Sequence, residues 1–239
     1  MSVLEEKARA LIKSVIETYE SIAEGFSATR KSPWIEVLKP LGDVLGKTVL
    51  DVGCGNGRHL LILAKRASTV VGIDPSRNLI KIAKTRINKL RLVDRAMLVI
   101  ADALFMPFRR ASFDSIICIA VIHHIPTKKL RRRAIIEIAE TLKNNGLVVI
   151  SAWYRWQRRL LLEVLKSFFL KLVNKVFEFG DTYMPWSSRG MKYKRFYHLF
   201  TLKEMEDLLN HSQLEIQGLK LVAIGSRRWM NVVATAIKR

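Results

Sequence analysis

Apolar residues first recur at helical spacing. Leu4, Leu11, Val15, Ile16, Tyr19 and Ile22 fall on one face, which predicts a helix over residues 4–24. The tripeptide "SPW" at 32–34 predicts a second helix start, with Ser32 as N-cap and Pro33 at the first helical position. The pattern then changes. "KTVLDVG" is an unbroken apolar run ending in glycine turns and reads as a buried strand, with a helix to follow over 58–67. "TVVGID" is a strand, "SRNLIKIAKTRINKL" a helix, and "AMLVIAD" and "FDSIICIAV" two further strands. "TKKLRRRAIIEIAETLKNNG" is a helix capped by Thr127 and stopping near Gly146, and "LVVISAW" is a fifth strand. Strands that alternate with helices pair in parallel, because each helix carries the chain back across the sheet.

Beyond Trp153 the alternation breaks. Residues 159–179 form a wide-faced amphipathic helix, and "GDTYMPWSSRGMKYKRFYHLF" reads as a loop. "TLKEMEDLL" opens with a capping box, Thr201 and Glu204, and strands near 214–224 and 230–237 close the chain. The expected fold is α/β: a mostly parallel seven-stranded sheet flanked by helices, with a helical and loop insertion before the last strands. Residues 1–239 are expected to form one domain, with a helical cap over 1–45, a core over 46–153, the insertion over 154–200 and closing elements over 201–239.

Charge adds a partner class. Lys and Arg number 41 against 21 Asp and Glu, a net +20. Such a field favours a polyanion, nucleic acid first and an anionic membrane surface second. Cationic clusters lie at Lys128, Lys129 and 131–133, at Arg155, Arg158 and Arg159, and at Arg189, Lys192, Lys194 and Arg195. They interleave with Trp153, Trp156, Trp186 and Tyr193, a composition suited to phosphates and unpaired bases. The stretch 186–195 is the expected RNA contact, since a run such as "KKLRRR" is commonly a solvated helix face. No signal peptide is predicted, and charges interrupt 159–179 too often for a membrane span. Cys54 and Cys118 form neither a CxxC nor a Cys/His cluster, so no metal is expected.

Candidate chemistry sits at strand ends. "VLDVGCGNGRHL" places Asp51, Gly53, Gly55 and Gly57 where a strand turns into a helix, so that a ligand can approach the backbone. Asp74 ends the next strand, where an acid can hold ribose hydroxyls, and Asp102 and Ala103 end the third, where an adenine can be read. "ICIAVIHHIP" carries His123 and His124 at the mouth of the same pocket. His123 is expected to face substrate and His124 to cap the strand end.

As a set, these segments resemble the Rossmann-like class I methyltransferases that use S-adenosylmethionine, over about residues 45–152. That resemblance implies that Gly53, Gly55 and Gly57 pass the methionine part, that Asp74 binds the ribose and Asp102 with Ala103 the adenine end, and that Asp51 and Ala120 complete the cofactor site. A narrower likeness spans 19–209, apart from 155–179. "YESIAEGFSATRKSPWIEVL", "DALFMPFRRASFDSIICIAVIHHI", "GDTYMPW" and "RFYHLFTLKEMEDLL" resemble the tRNA wobble-uridine carboxymethyl methyltransferases, a family that includes the methyltransferase domain fused to the eukaryotic AlkB-like tRNA hydroxylase. The resemblance implies methyl-ester formation on the carboxymethyl group of uridine 34, in the cytoplasm, commonly with a small zinc-binding activator protein. It implies Arg30, His123 and Arg195 as catalytic residues. Trp186, Tyr197 and His198 join them against the tRNA anticodon loop, with Arg195, Tyr197 and His198 turned toward the cleft.

The chemistry agrees with those residues. A carboxylate is already ionised at neutral pH and needs no general base, only orientation and exclusion of water. Two other readings use the same features. One is a small-molecule or quinone/lipid methyltransferase at a membrane surface. The other is a non-catalytic RNA-binding subunit. A membrane is not the expected partner, and the helix at 159–179 can pack on the sheet, dock a partner or lie on a bilayer. The apolar third strand, "AMLVIA", is expected at a sheet edge covered by the activator.

Overall fold

The computed structural model describes residues 3–188, 190–225 and 228–239. Its elements run in chain order as α1 (Val3–Thr29), α2 (Ile35–Leu38), β1 (Thr48–Val52), α3 (Leu60–Leu63), β2 (Thr69–Ile73), α4 (Arg77–Lys89), β3 (Ala96–Val99) and β4 (Phe113–Ile119). There follow α5 (Lys128–Thr141), β5 (Leu142–Trp153), α6 (Leu161–Val173), β6 (Asp181–Ser188), β7 (Met191–His198), α7 (Leu202–Leu209), β8 (Leu214–Ile224) and β9 (Trp229–Lys238). Seven strands form one sheet in the order β3-β2-β1-β4-β5-β9-β8. Pairing is parallel from β3 to β5, while β9 runs antiparallel between β5 and β8.

The sheet is a two-sided core. Along β1, Val49 packs with Val37, Leu60 and Val70 on one face, and Leu50 and Val52 pack with Ile116, Ile135 and Ile150 on the other. Both faces are covered by helices, which is why these strands read as continuous apolar runs. Strand order reverses at β1 and β4. The crevice at the carboxyl ends of these two strands is the natural ligand site of an open α/β sheet.

Several local expectations give way. Ser32 does not cap α2: the helix starts at Ile35 after Trp34, which makes no side-chain cap bond. The Trp34 ring instead lies 4.1 Å from the Arg58 guanidinium and packs on His59. The helix expected over 58–67 shortens to the single turn of α3, because the tight turns after Gly55 run on to His59. Helix α5 is capped by Thr127 as expected but ends at Thr141, where Leu142 already pairs with Phe113 across the sheet. The amphipathic helix ends at Val173. Ser167 accepts the Gly180 N–H just before β6, and Val164 joins a cluster with Met184 of β6, Tyr197 and Leu199.

The largest departure is at 180–200. This stretch is a β-hairpin of β6 and β7, paired from Asp181 with His198 to Ser188 with Met191. Strand alternation sends Arg195 and Tyr197 to one face and Phe196 and His198 to the other. Polar and ionic contacts anchor the hairpin's base. His198 Nδ1 lies 2.6 Å from Asp181 Oδ1, Arg155 donates to Glu204 at 2.5 Å and to the Phe179 carbonyl at 2.9 Å, and Arg131 pairs with Glu178. Arg131, Arg155, Asp181 and His198 are all buried. Thr201 and Glu204 form the expected capping box of α7.

Candidate active site

Helix α1 crosses the carboxyl edge of the sheet and closes the crevice. Two polar clasps hold it there. Glu20 accepts from the Ser76 hydroxyl at 2.6 Å and the Asn78 backbone N–H at 3.0 Å, at the start of α4. Ser27 accepts from Asn56 at 3.2 Å and Arg86 at 3.0 Å.

Beneath α1 lie two cavities. The smaller, of about 70 Å³, is lined by Gly53, Ala101, Asp102, Ala103, Leu104 and Val121 and roofed by Ile12, Val15 and Ile16. The larger, of about 820 Å³, is lined by Tyr19, Phe26, Arg30, Ala120, His123, Trp186, Arg195 and Tyr197, and extends to Trp229. His124 borders both.

The glycine turn forms the wall of the smaller cavity. Gly53 has φ +67°, and a Cβ there would lie 2.3 Å from Val121 Cγ2. Gly55 donates its N–H to Asp74 Oδ2 at 2.9 Å, and Asp74 Oδ1 accepts from Ser76 N. Gly57 lies elsewhere. Its missing side chain makes room for Ala83 of α4, so its role here is close packing rather than cavity lining. Asp51 is buried with Oδ2 unpartnered. Burial, with Asp74 adding repulsion, pushes its carboxyl up to about 8. Burial also raises Asp74 to about 6, against hydrogen bonds from Ser76 and Gly55. Asp102 accepts from Leu104 N at 2.9 Å and is raised by burial.

These raised carboxyls make a stability prediction. The folded protein keeps protons that the unfolded chain has already released, so stability falls as pH rises from the ordinary carboxylate range to about 8. Thermal melts of ligand-free protein across that range should show a decline, and Asp51→Asn should flatten it. An unchanged slope in the variant would remove Asp51 as its source.

The strand-end histidines divide their work. His124 Nδ1 lies 2.9 Å from the Phe196 carbonyl, so Nδ1 carries the hydrogen and Nε2 accepts from Tyr19 Oη at 2.9 Å. His124 thus ties β4 to both α1 and the hairpin. His123 has the opposite tautomer: its Nδ1 accepts the Trp153 N–H at 3.3 Å, which leaves Nε2–H as a donor. Its ring stacks on Tyr197 at 4.8 Å. Burial holds both histidines neutral, His123 well below its ordinary value and His124 down to about 3. Ala120 turns β4 toward the cavity with φ +59°, and its N–H donates to the Ser151 carbonyl and hydroxyl, each at 3.1 Å.

Arg195 is buried in the larger cavity. Its guanidinium lies 5.3 Å from the Tyr197 ring centre and 4.7 Å from the Trp186 ring centre, and leaves Nε without a partner. The Trp186 indole N–H is also unpartnered, and Arg30 covers that ring at 5.6 Å. His198 is corrected. It sits on the opposite strand face against Asp181, where burial keeps it neutral, and does not enter the cleft. Tyr19, counted in the sequence as one more apolar helix position, is the site residue the pattern concealed; only its polar tip could have marked it. Arg189 lies outside the described residues. Among the described residues no metal-binding cluster occurs, and no helix is long and apolar enough to cross a membrane.

Residues 50–150 match the family described as methyltransferase domain. A putative methyltransferase of Encephalitozoon cuniculi is 30% identical over 200 residues, covering 83% of this chain and 85% of that protein. The chain belongs to the S-adenosylmethionine-dependent methyltransferases. A second relative of this methyltransferase is the tRNA (carboxymethyluridine(34)-5-O)-methyltransferase of Mus musculus, 39% identical over 144 residues and 59% of this chain. The alignment covers 20% of that relative's length. Among solved structures, a SAM-dependent methyltransferase from Methanosarcina mazei superimposes with a TM-score of 0.71 at 25% identity, covering 81% of this chain and 92% of that one. The methyltransferase in a complex with the Haloferax volcanii Trm112 activator shares the fold, with a TM-score of 0.67 at 14% identity, covering 94% and 97%.

Proposed function

We propose that this methyltransferase esterifies the carboxymethyl group of 5-carboxymethyluridine at tRNA position 34, in the cytoplasm. The observation that carries the reading is Arg195: a buried guanidinium set against the Tyr197 and Trp186 rings, with Nε unpartnered, in a cavity open to a ligand. A buried cation of this kind is completed by a planar anion. The name of the mouse relative supplies an RNA-borne carboxylate of that description.

The cofactor fits the chain. The buried Asp51, with its unpartnered oxygen, complements a ligand bearing ammonium and sulfonium charges. The slot at Ala101, Asp102, Ala103 and Leu104 suits a flat adenine, Asp74, oriented by the N–H groups of Gly55 and Ser76, would take ribose hydroxyls, and Gly53 and the turned Ala120 would flank the methionine part. When bound, S-adenosylmethionine supplies an electrophilic methyl group whose departure leaves a neutral thioether. In the reaction a carboxylate oxygen gains the O–CH₃ bond as the S–CH₃ bond breaks, and no proton is transferred. Arg195 would hold the carboxylate in line, and His123 Nε2–H would donate to its second oxygen. Tyr197 braces both through its ring. Trp186 and Arg30 would stack on the base and its neighbours, with Lys192 and Lys194 on the hairpin as phosphate contacts. His124 acts through position alone.

Methyl transfer from labelled cofactor to tRNA lacking the wobble ester tests this reading. Label in a base-labile ester on uridine 34 is expected. Label elsewhere in the RNA would overturn the substrate assignment.

The activator is proposed at the β3 edge. Among the described residues that edge is unpaired on its outer side, and Met97 on the strand, with Val93 before it and Ile100 after it, is exposed, which suits strand addition. A methyltransferase of the same fold is found in complex with the Haloferax volcanii Trm112 activator, which supports a partner of that class. Met97→Lys should abolish co-purification with the activator while leaving RNA binding within about twofold. Unchanged co-purification would move the activator elsewhere.

A further inference from the structure

Helix α6 leaves a large apolar surface uncovered. Its buried residues are Val164, which clusters with Met184 and Tyr197, and Ser167, which accepts the Gly180 N–H. The opposite side faces solvent. Leu162 is 71% exposed, Phe169 65%, Leu172 68% and Val173 82%. At about 100° per residue, Leu161, Leu172, Leu165, Phe169, Leu162 and Val173 fill one continuous arc of about 120°. Lys166 borders this arc on one side, and Lys171 lies beyond the other. Trp156, Arg158 and Arg159 continue the surface before the helix, and Lys175 follows it, all exposed. The one acid of the helix, Glu163, is already bound by Lys166 at 2.9 Å and by the Thr182 hydroxyl at 3.2 Å.

We infer that α6 lies in the plane of an anionic lipid surface, its apolar arc among the acyl chains and its flanking lysines at the headgroups. The chemistry selects this occupant. An aliphatic and phenyl ridge offers phosphates no donors, so RNA is not what covers it. A second copy of the chain would bring two sets of like cations together, on molecules each of net charge +20. Anionic lipid satisfies both halves of the pattern: cations that snorkel around an apolar stripe are the signature of an in-plane helix. The helix is too short to span a bilayer, and lying in the interface requires no spanning length. Glu163 and Val164 seat the helix on the hairpin face that carries Thr182, Met184 and Tyr197, the face that also lines the active-site cavity, while the apolar arc is turned to solvent.

Vesicle flotation of the full chain tests this inference, using phosphatidylcholine vesicles with and without phosphatidylglycerol. Flotation with the anionic vesicles is expected to persist at ~0.5 M salt, where charge attraction alone is screened. Leu165→Ser with Phe169→Ser should weaken that salt-resistant binding at least about tenfold. Both side chains are exposed, so the melting temperature of the variant should match the parent, as should its methyl transfer to RNA. Lys166→Gln with Lys171→Gln should lose binding at low salt first. Complete release of the parent by salt would overturn the inference, as would binding that survives the Leu165 and Phe169 changes. So would a parent that floats with neither vesicle and forms a dimer broken by those same changes. Flotation requires neither cofactor nor tRNA, so its outcome is independent of the substrate assignment.

Discussion

Replacing Arg195 with methionine is expected to lower kcat/KM for the carboxymethyl-bearing RNA at least about a hundredfold. Cofactor affinity should stay within about twofold, because Arg195 lines the larger cavity and not the smaller one. The stability readout has the opposite sign from that of an ordinary core substitution. Arg195 is a buried cation paired with neutral groups, and an apolar side chain of similar length avoids its desolvation. The melting temperature of the variant should therefore hold or rise while activity collapses. Arg195→Lys keeps the charge but not the planar fork, and should recover a minor part of the rate. A methionine variant that retains full activity would remove Arg195 from the site.

Gly53→Ala is expected to abolish cofactor binding, by a factor on the order of a hundred or more, and to lower the melting temperature as well. Two separate costs act at this position. The backbone has φ +67°, and the added methyl would sit 2.3 Å from Val121 Cγ2. They can be separated. Val121→Ala in the same chain relieves the contact but not the backbone strain, so the double variant should regain part of the stability. Calorimetry with S-adenosylhomocysteine measures the binding half. Binding by the single variant at parental affinity would place the cofactor away from this turn.

The sequence pattern disclosed the sheet well because β1, β2, β4 and β5 are covered on both faces, and nothing but continuous apolar runs can occupy such positions. Asp51, Asp74 and Asp102 were legible for a related reason: each ends a strand, and parallel strands deliver their carboxyl ends to one crevice. The hairpin was not legible. Lys192, Lys194 and Arg195 interrupt its alternation, and it packs against α1, α6 and the turn at 122–124, so no period marks it. The same gap misplaced His198. Read as part of a loop, Arg195, Tyr197 and His198 could all face one way; in a strand, the third must turn from the first two. Trp34 shows the reverse limit. A proline after a serine signals a helix start, but the cation beneath the Trp34 ring lies at Arg58, far along the chain, and no local rule includes it.

The charged anchor of the hairpin carries a consequence for heat. Arg131 of α5 pairs with Glu178 just before the hairpin, and Arg155, just beyond β5, pairs with Glu204 of α7, with both guanidiniums buried. Hydration of free ions grows less favourable as temperature rises, so the penalty for keeping these groups dry shrinks on warming, while apolar packing gains little. The wall of the site that carries Arg195 and Tyr197 is therefore held by bonds that hold relatively better in hot water than in cold.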